Sequence, residues 1–164
     1  MKIESELKNT RPMPPHQRAI VSILFTASWI DCLLTRGLRP FGLTHPQYNI
    51  LRILNGSFPK GLSVLDIKSR MIDRSSNVSR LVEKLRRSGL VERITSDQDR
   101  RMVIVTISEK AKDMLREIEA KVFGPNMMPG DSLSEAEATE LAYLLDKLRD
   151  WCSPNSSHTS PTAS

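Results

Sequence analysis

The feature that most constrains this chain is a change of period at Ser88-Gly89. Before it, Val78, Leu81, Val82 and Leu85 recur at i, i+3, i+4 and i+7, which places apolar side chains on one face of a helix. After it, Leu90-Val91-Glu92-Arg93-Ile94-Thr95 and Met102-Val103-Ile104-Val105-Thr106-Ile107 flank Ser96-Asp97-Gln98-Asp99-Arg100-Arg101. That reads as a β-hairpin with a charged tip. A single-face helix feeding directly into a hairpin narrows the architecture to a mainly α fold with one small β element.

The surrounding punctuation completes the order. Ala19 to about Arg36 reads as a helix, apolar nearly all round and closed by Gly37 and Pro40; such a helix must be buried in a core or against a second chain. Thr44 can cap the next helix, with Pro46 just inside and Gln47 at the capping-box position. Ser63 caps a short helix to about Ile72, and Ser75 is read as the cap of the striped helix. Ser108 to Phe123 and a helix opened by the Ser134/Glu137 capping box finish the chain. Residues 1–16, with Pro12, Pro14 and Pro15, read as a flexible arm. Residues 17–152 read as the folded domain and 153–164, rich in Ser, Thr and Pro, as a disordered tail.

Charge divides unevenly along the chain. The net charge is +5. Residues 62–107 hold 10 basic and 6 acidic residues, whereas residues 108–164 hold 6 and 10. A basic middle suits an anionic partner and an acidic end suits self-association, although solvated helix faces look the same. Cys32 and Cys152 stand far apart with no CxxC pattern, as in a reducing compartment. No signal-peptide core follows Met1, and the apolar run from Ala19 to Leu34 falls short of the roughly 20 residues a membrane span needs. The expectation is a cytoplasmic, nucleoid-associated protein with no membrane partner.

Several chemistries find no support. Gly56, Gly61 and Ser63 have phosphate-loop spacing, but Leu62 occupies the lysine position, so nucleotide binding is not invoked. His16, His45 and His158 are scattered, and neither a metal site nor a cofactor is expected. No nucleophile–base pair can be argued, so the chain is not expected to be an enzyme. Cys32 lies in an apolar helix, where a buried inert thiol is the plainer reading. Redox sensing by Cys32 or subunit pairing through Cys152 has nothing in the sequence to support it. Trp29 reads as a core or dimer contact.

The candidate site is the helix, the tight turn through Asp73-Arg74, and the second helix, which together form a helix-turn-helix. In such a unit the N-terminal residues of the second helix meet base edges in the major groove. Ser76, Asn77, Ser79, Arg80 and Lys84 project away from the apolar stripe. Asn can pair with adenine and Arg with guanine at two points each, and Ser adapts to base or phosphate. Ser75 is a cap first and a phosphate contact second, while Arg86 and Arg87 are placed to hold backbone phosphate. At the hairpin tip, Arg100 and Arg101 can reach the backbone or a narrow minor groove; Asp99 suits this only by orienting an arginine. The plain alternative is a solvated amphipathic helix and a solubilising turn.

The stretch Ser76-Asn77-Val78-Ser79-Arg80-Leu81-Val82-Glu83-Lys84-Leu85-Arg86-Arg87-Ser88-Gly89-Leu90-Val91-Glu92-Arg93, then Asp99-Arg100-Arg101 and Val105-Thr106-Ile107-Ser108-Glu109-Lys110, resembles the MarR (multiple-antibiotic-resistance regulator) family. With Leu43-Thr44 and Pro46-Gln47-Tyr48, the resemblance extends over about residues 18–152. Thr95-Ser96 stands where the family often has Pro-Asp, and Ala111 where Gly is common. The resemblance implies a winged helix-turn-helix over about residues 43–107, with dimerisation helices over about 18–37 and 108–152. It also implies a homodimeric, sequence-specific regulator of double-stranded DNA, a repressor on a pseudo-palindromic operator, relieved by a small aromatic effector or another signal. A winged helix serving only as a protein-interaction module is the alternative.

Overall fold

The computed structural model describes residues 3–8, 11–95, 103–124 and 129–151. It divides into two units, residues 1–123 and 124–164. In the first, a helical turn α1 (Ile3–Glu6) precedes the long helix α2 (Pro15–Leu38), then α3 (His45–Gly56), α4 (Val64–Arg70) and α5 (Val78–Arg87). Strands β1 (Val91–Thr95) and β2 (Val103–Ile107) and helix α6 (Glu109–Val122) complete it. The second unit holds a short 3-10 turn, Pro129–Ser132, and helix α7 (Glu135–Trp151).

Helix α2 departs from the sequence reading at both ends. It begins at Pro15 rather than Ala19, because proline at the first position has a preset φ and no N–H to satisfy. Arg18, one turn in, pairs with Glu4 of α1 at 2.5 Å, so part of segment 1–16 is helical. Gly37 does not end the helix. A Cβ there would lie 2.6 Å from Val122 Cγ1, so this glycine lets α2 and α6 approach closely. The stop is Gly42, at φ 68°, after the 3-10 turn Arg39–Phe41.

Only Leu34 and Leu38 of α2 are buried; Ile20, Leu24 and Trp29 are 43%, 66% and 53% exposed. With the turn that follows, α2 is long and apolar enough to cross a membrane, at a mean hydropathy of 1.4. Length therefore does not exclude a span, as the shorter apolar run had suggested. Its C-terminal end, however, packs on α3 and α6, and Asp31 Oδ1 lies 2.8 Å from His45 Nδ1 at the start of α3. Cys32 is an exposed free thiol rather than a buried one.

The core gathers beneath α5. Val82, Leu85, Ile67, Ile50 and Leu54 have no exposed surface, and Ala111 and Ile118 of α6 close it from below. Thr44 and Ser63 cap as read from sequence, and Ser108 adds a cap that the sequence reading did not name. Gln47 Oε1 accepts from Thr44 N–H at 3.0 Å, Ser63 Oγ from Asp66 N–H at 3.1 Å, and Ser108 Oγ from Ala111 N–H at 3.2 Å. Ser108 also donates to Gly89 O at 2.9 Å, tying the start of α6 to the end of α5. Within the second unit, Ser134 N–H and Oγ–H both donate to Glu137 Oε2, at 2.8 and 2.7 Å. These bonds lower the Glu137 pKa. Leu141, Tyr143, Leu144 and Trp151 of α7 are exposed; Cys152 and the tail 153–164 lie outside the described residues.

The strands pair antiparallel, Val91 opposite Ile107 through Thr95 opposite Val103. A third edge was not legible in the sequence. Leu62 N–H donates to Val105 O at 3.0 Å, and Val105 N–H to Leu62 O at 2.8 Å. Gly61 makes this approach possible. Its φ is +67°, and a Cβ there would stand 2.6 Å from Val105 O and from Thr106 Cγ2. Gly61→Ala should therefore cost at least the ~1–2 kcal/mol of a left-handed L-residue, together with the Leu62–Val105 pairing. Urea denaturation checks this; a loss under about 0.5 kcal/mol, the range of ordinary surface changes, would refute the account.

Candidate nucleic-acid interface

Helix α5 is set in place before any of its outward residues matter. Val78, Val82 and Leu85 are buried on one side, so the opposite side must face out. The turn leading into it is held by Asp73. Its Oδ1 accepts from Ser75 N–H at 2.9 Å and Ser75 Oγ–H at 2.6 Å, and its Oδ2 from Ser76 Oγ–H at 2.8 Å. Hydrogen bonds from Ser75, then Ser76, hold the Asp73 carboxyl below its ordinary pKa. Upstream, Ile72 N–H donates to Asn49 Oδ1 at 3.0 Å, anchoring the turn to α3.

This arrangement corrects the cap assignment. Ser75 does not cap α5; Asp73 draws its side chain and backbone into an Asx turn. The chain enters the helix only at Val78, and Asn77 Oδ1 accepts from Arg80 N–H at 3.1 Å as the true cap. α4 likewise ends at Arg70 rather than Ile72. The Ser75 and Ser76 hydroxyl hydrogens are thus committed to Asp73, and Asn77 keeps its amide N–H groups as outward donors.

Four of the residues named from sequence line one open groove of ≈ 750 Å³: Ser76, Asn77, Arg80 and Lys84. Pro46, Leu81, Glu83 and Arg87 complete the lining. Ser79 is exposed on the same helix but outside this groove, and Ser75 lies in the turn. Arg100 and Arg101, with the hairpin tip, lie outside the described residues. Arg80 and Lys84 make no side-chain ion pair among the described residues.

Arg86 and Arg87, read from sequence as phosphate contacts, both pair with Glu83. Arg86 donates through Nε at 3.1 Å and Nη2 at 3.0 Å, and Arg87 through Nε at 3.2 Å. Arg93 Nη1 of β1 lies 3.5 Å away. The Arg86 hydrogen bonds, then those of Arg87 and the nearby Arg93 charge, bring the Glu83 pKa down to about 2 against the cost of partial desolvation. Sequence reasoning passed over Glu83, although glutamate three and four residues before arginine on a helix is the usual signal for such pairs.

Comparison with known proteins bears on what this geometry serves. The MarR family description matches residues 41–102, the segment from the end of the 3-10 turn to the hairpin. Over this stretch the chain is similar to the MarR family. YfiV of Bacillus subtilis, named an uncharacterised HTH-type transcriptional regulator, is 37% identical over 79 residues, covering 48% of each chain. TtmR of Methylorubrum extorquens, also named an HTH-type transcriptional regulator, is 32% identical over 108 residues, covering 65% of this chain and 54% of its own. The chain thus spans about half the length of these two relatives. MgrA of Staphylococcus aureus is 26% identical over 110 residues, covering 67% of this chain and 72% of its own.

Among solved structures, a MarR family transcriptional regulator from Streptomyces coelicolor superposes with a TM-score of 0.71 at 24% identity, covering 85% of this chain and 96% of that one. A cysteine-to-serine mutant of E. coli MarR, complexed with operator DNA, gives 0.67 at 22%, covering 90% and 99%. At such identities the likeness establishes the MarR-like winged helix-turn-helix fold. YfiV, TtmR and MgrA are all named as HTH-type transcriptional regulators.

Two outcomes follow. Asn77→Ala should cost ~1 kcal/mol through the lost cap, with Asn77→Ser restoring most of it; equal stability of Asn77→Ala and wild type in denaturant would contradict the cap. For Glu83, the folded pKa lies below the ordinary carboxylate value of 4.5, so its stabilising effect is full above that value and lost as pH falls towards 2. The melting-temperature gap between wild type and Glu83→Gln should be constant above about pH 5 and close below it. A gap that widens on acidification would reverse the sign.

Proposed function

We propose that this regulator binds double-stranded DNA sequence-specifically as a homodimer. The observation that carries the reading is the outer face of α5. Arg80 and Lys84 stand there without ion-pair partners among the described residues, beside the outward amide of Asn77, on a helix locked by its buried opposite side. Cationic and amide donors in that position suit guanine and adenine edges. A mutant MarR of E. coli has been solved in complex with operator DNA, which supports the same use here.

The second copy is argued from uncovered apolar surface. Ile20, Leu24 and Trp29 of α2, and Leu141, Leu144 and Trp151 of α7, are all more than 40% exposed in the single chain; such surface marks an interface. A dimer sets two reading helices on a pseudo-palindrome with half-sites about 10 bp apart. Repression, its relief by a small aromatic ligand, and a cytoplasmic, nucleoid-associated location complete the proposal. Effector relief rests on the family resemblance alone.

Selection of duplexes from a random pool should return a pseudo-palindrome, and Arg80→Ala should relax preference at one position per half-site by roughly 1–3 kcal/mol. An Arg80→Ala protein with unchanged affinity for both the selected and random duplexes would remove α5 from the reading role. Leu65 and Ile72, 79% and 77% exposed on and beside α4, favour the alternative of a protein-docking module. Ionic strength separates the two, because phosphate contacts make DNA affinity fall steeply with salt. Light scattering should give about 37 kDa, twice the 18.5 kDa chain.

A further inference from the structure

We propose that Glu83 is a specificity-determining residue, an internal counter-ion that keeps Arg86, Arg87 and Arg93 from binding backbone phosphate indiscriminately. The inference deepens the DNA-binding reading and rests on it.

Glu83 is the only acidic residue of α5, and it lines the groove with Arg80, Lys84 and Arg87. Its carboxylate is engaged mainly by arginines: Oε1 accepts from Arg86 Nη2 and Arg87 Nε, and Oε2 accepts from Arg86 Nε with Arg93 Nη1 3.5 Å away. Three of its roughly four acceptor directions are thus taken, so its first role is to hold these arginines. It is not needed to complete the core, since Val82 and Leu85 on either side of it already fix the helix.

What Glu83 does hold is three guanidiniums at the end of the recognition helix and the root of the hairpin. A phosphate reaching Arg86 must compete with a carboxylate already bound in a two-point grip, and one reaching Arg87, which Glu83 holds through Nε alone, must approach that same carboxylate. The two costs fall on different DNA unequally. A random duplex offers mainly backbone charge, so it needs those arginines and meets the competition. A matched duplex is held by base contacts at Arg80 and Asn77, and loses less if the arginines stay with Glu83. The carboxylate therefore widens the gap between matched and random DNA. Its low pKa keeps it ionised throughout the neutral range.

The test measures affinity of wild type, Glu83→Gln, Arg86→Ala/Arg87→Ala, and the triple variant for a random-sequence duplex and for the selected operator. It does so across a potassium chloride series, below the melting temperature of each protein. Glu83→Gln should bind random DNA several-fold tighter, with a log-log salt slope steeper by about 0.9 per phosphate gained, and its operator-to-random ratio should fall. In the double-arginine background, Glu83→Gln should no longer steepen the slope. An unchanged ratio or slope in Glu83→Gln, or a gain that survives removal of both arginines, overturns the inference while leaving DNA binding intact. Wild type that binds neither duplex overturns the DNA-binding reading itself, and this inference with it.

Discussion

The site depends on the burial of one side of α5. Val78, Val82 and Leu85 sink into a core shared with α3, α4, α6 and the hairpin, and α5 is more sharply two-faced than α2, α3 or α6. Removing a buried Leu such as Leu85 from such a core costs on the order of 2–5 kcal/mol, so the helix does not rotate about its axis. The outward residues inherit that rigidity. Arg80 and Lys84 need no partner to be aimed, because aiming is done by hydrophobic side chains on the opposite face.

Two carboxylates organise the polar surface that this leaves. Asp73 gathers Ser75 and Ser76 into the turn before the helix, and Glu83 gathers Arg86, Arg87 and Arg93 after its midpoint. Between them lies a stretch in which Asn77, Arg80 and Lys84 face an open groove. Acidic residues on a surface proposed to meet DNA look misplaced by charge count alone. Their effect is to choose which donors stay available, and a net charge cannot show that choice.

Much of the fold was legible because it is written in short-range patterns. The stripe in α5, the alternation in β1 and β2, and the caps at Thr44, Ser63 and Ser134 each involve residues within a few positions of one another. The errors have one origin as well. Gly37 was read as a helix stop because glycine weakens helices, yet Val122, far along the chain, explains its place. Leu62 was considered only as the residue missing from a phosphate loop, because a single residue has no period, and its strand character comes from Val105. Ser75 and Asn77 are both good caps by type, and the choice between them was made by Asp73.

The amino-acid order alone determined the order of the main elements from α2 onward, the inward face of α5 and the set of donors on its outward face, because these follow from side-chain type at fixed local spacing. Tertiary structure decided which of those donors are free, how closely α2 and α6 approach, and where the hairpin gains its third edge. Those outcomes turn on atoms brought within a few ångströms by the folded chain, and distances of that kind are not encoded in any window of neighbouring residues.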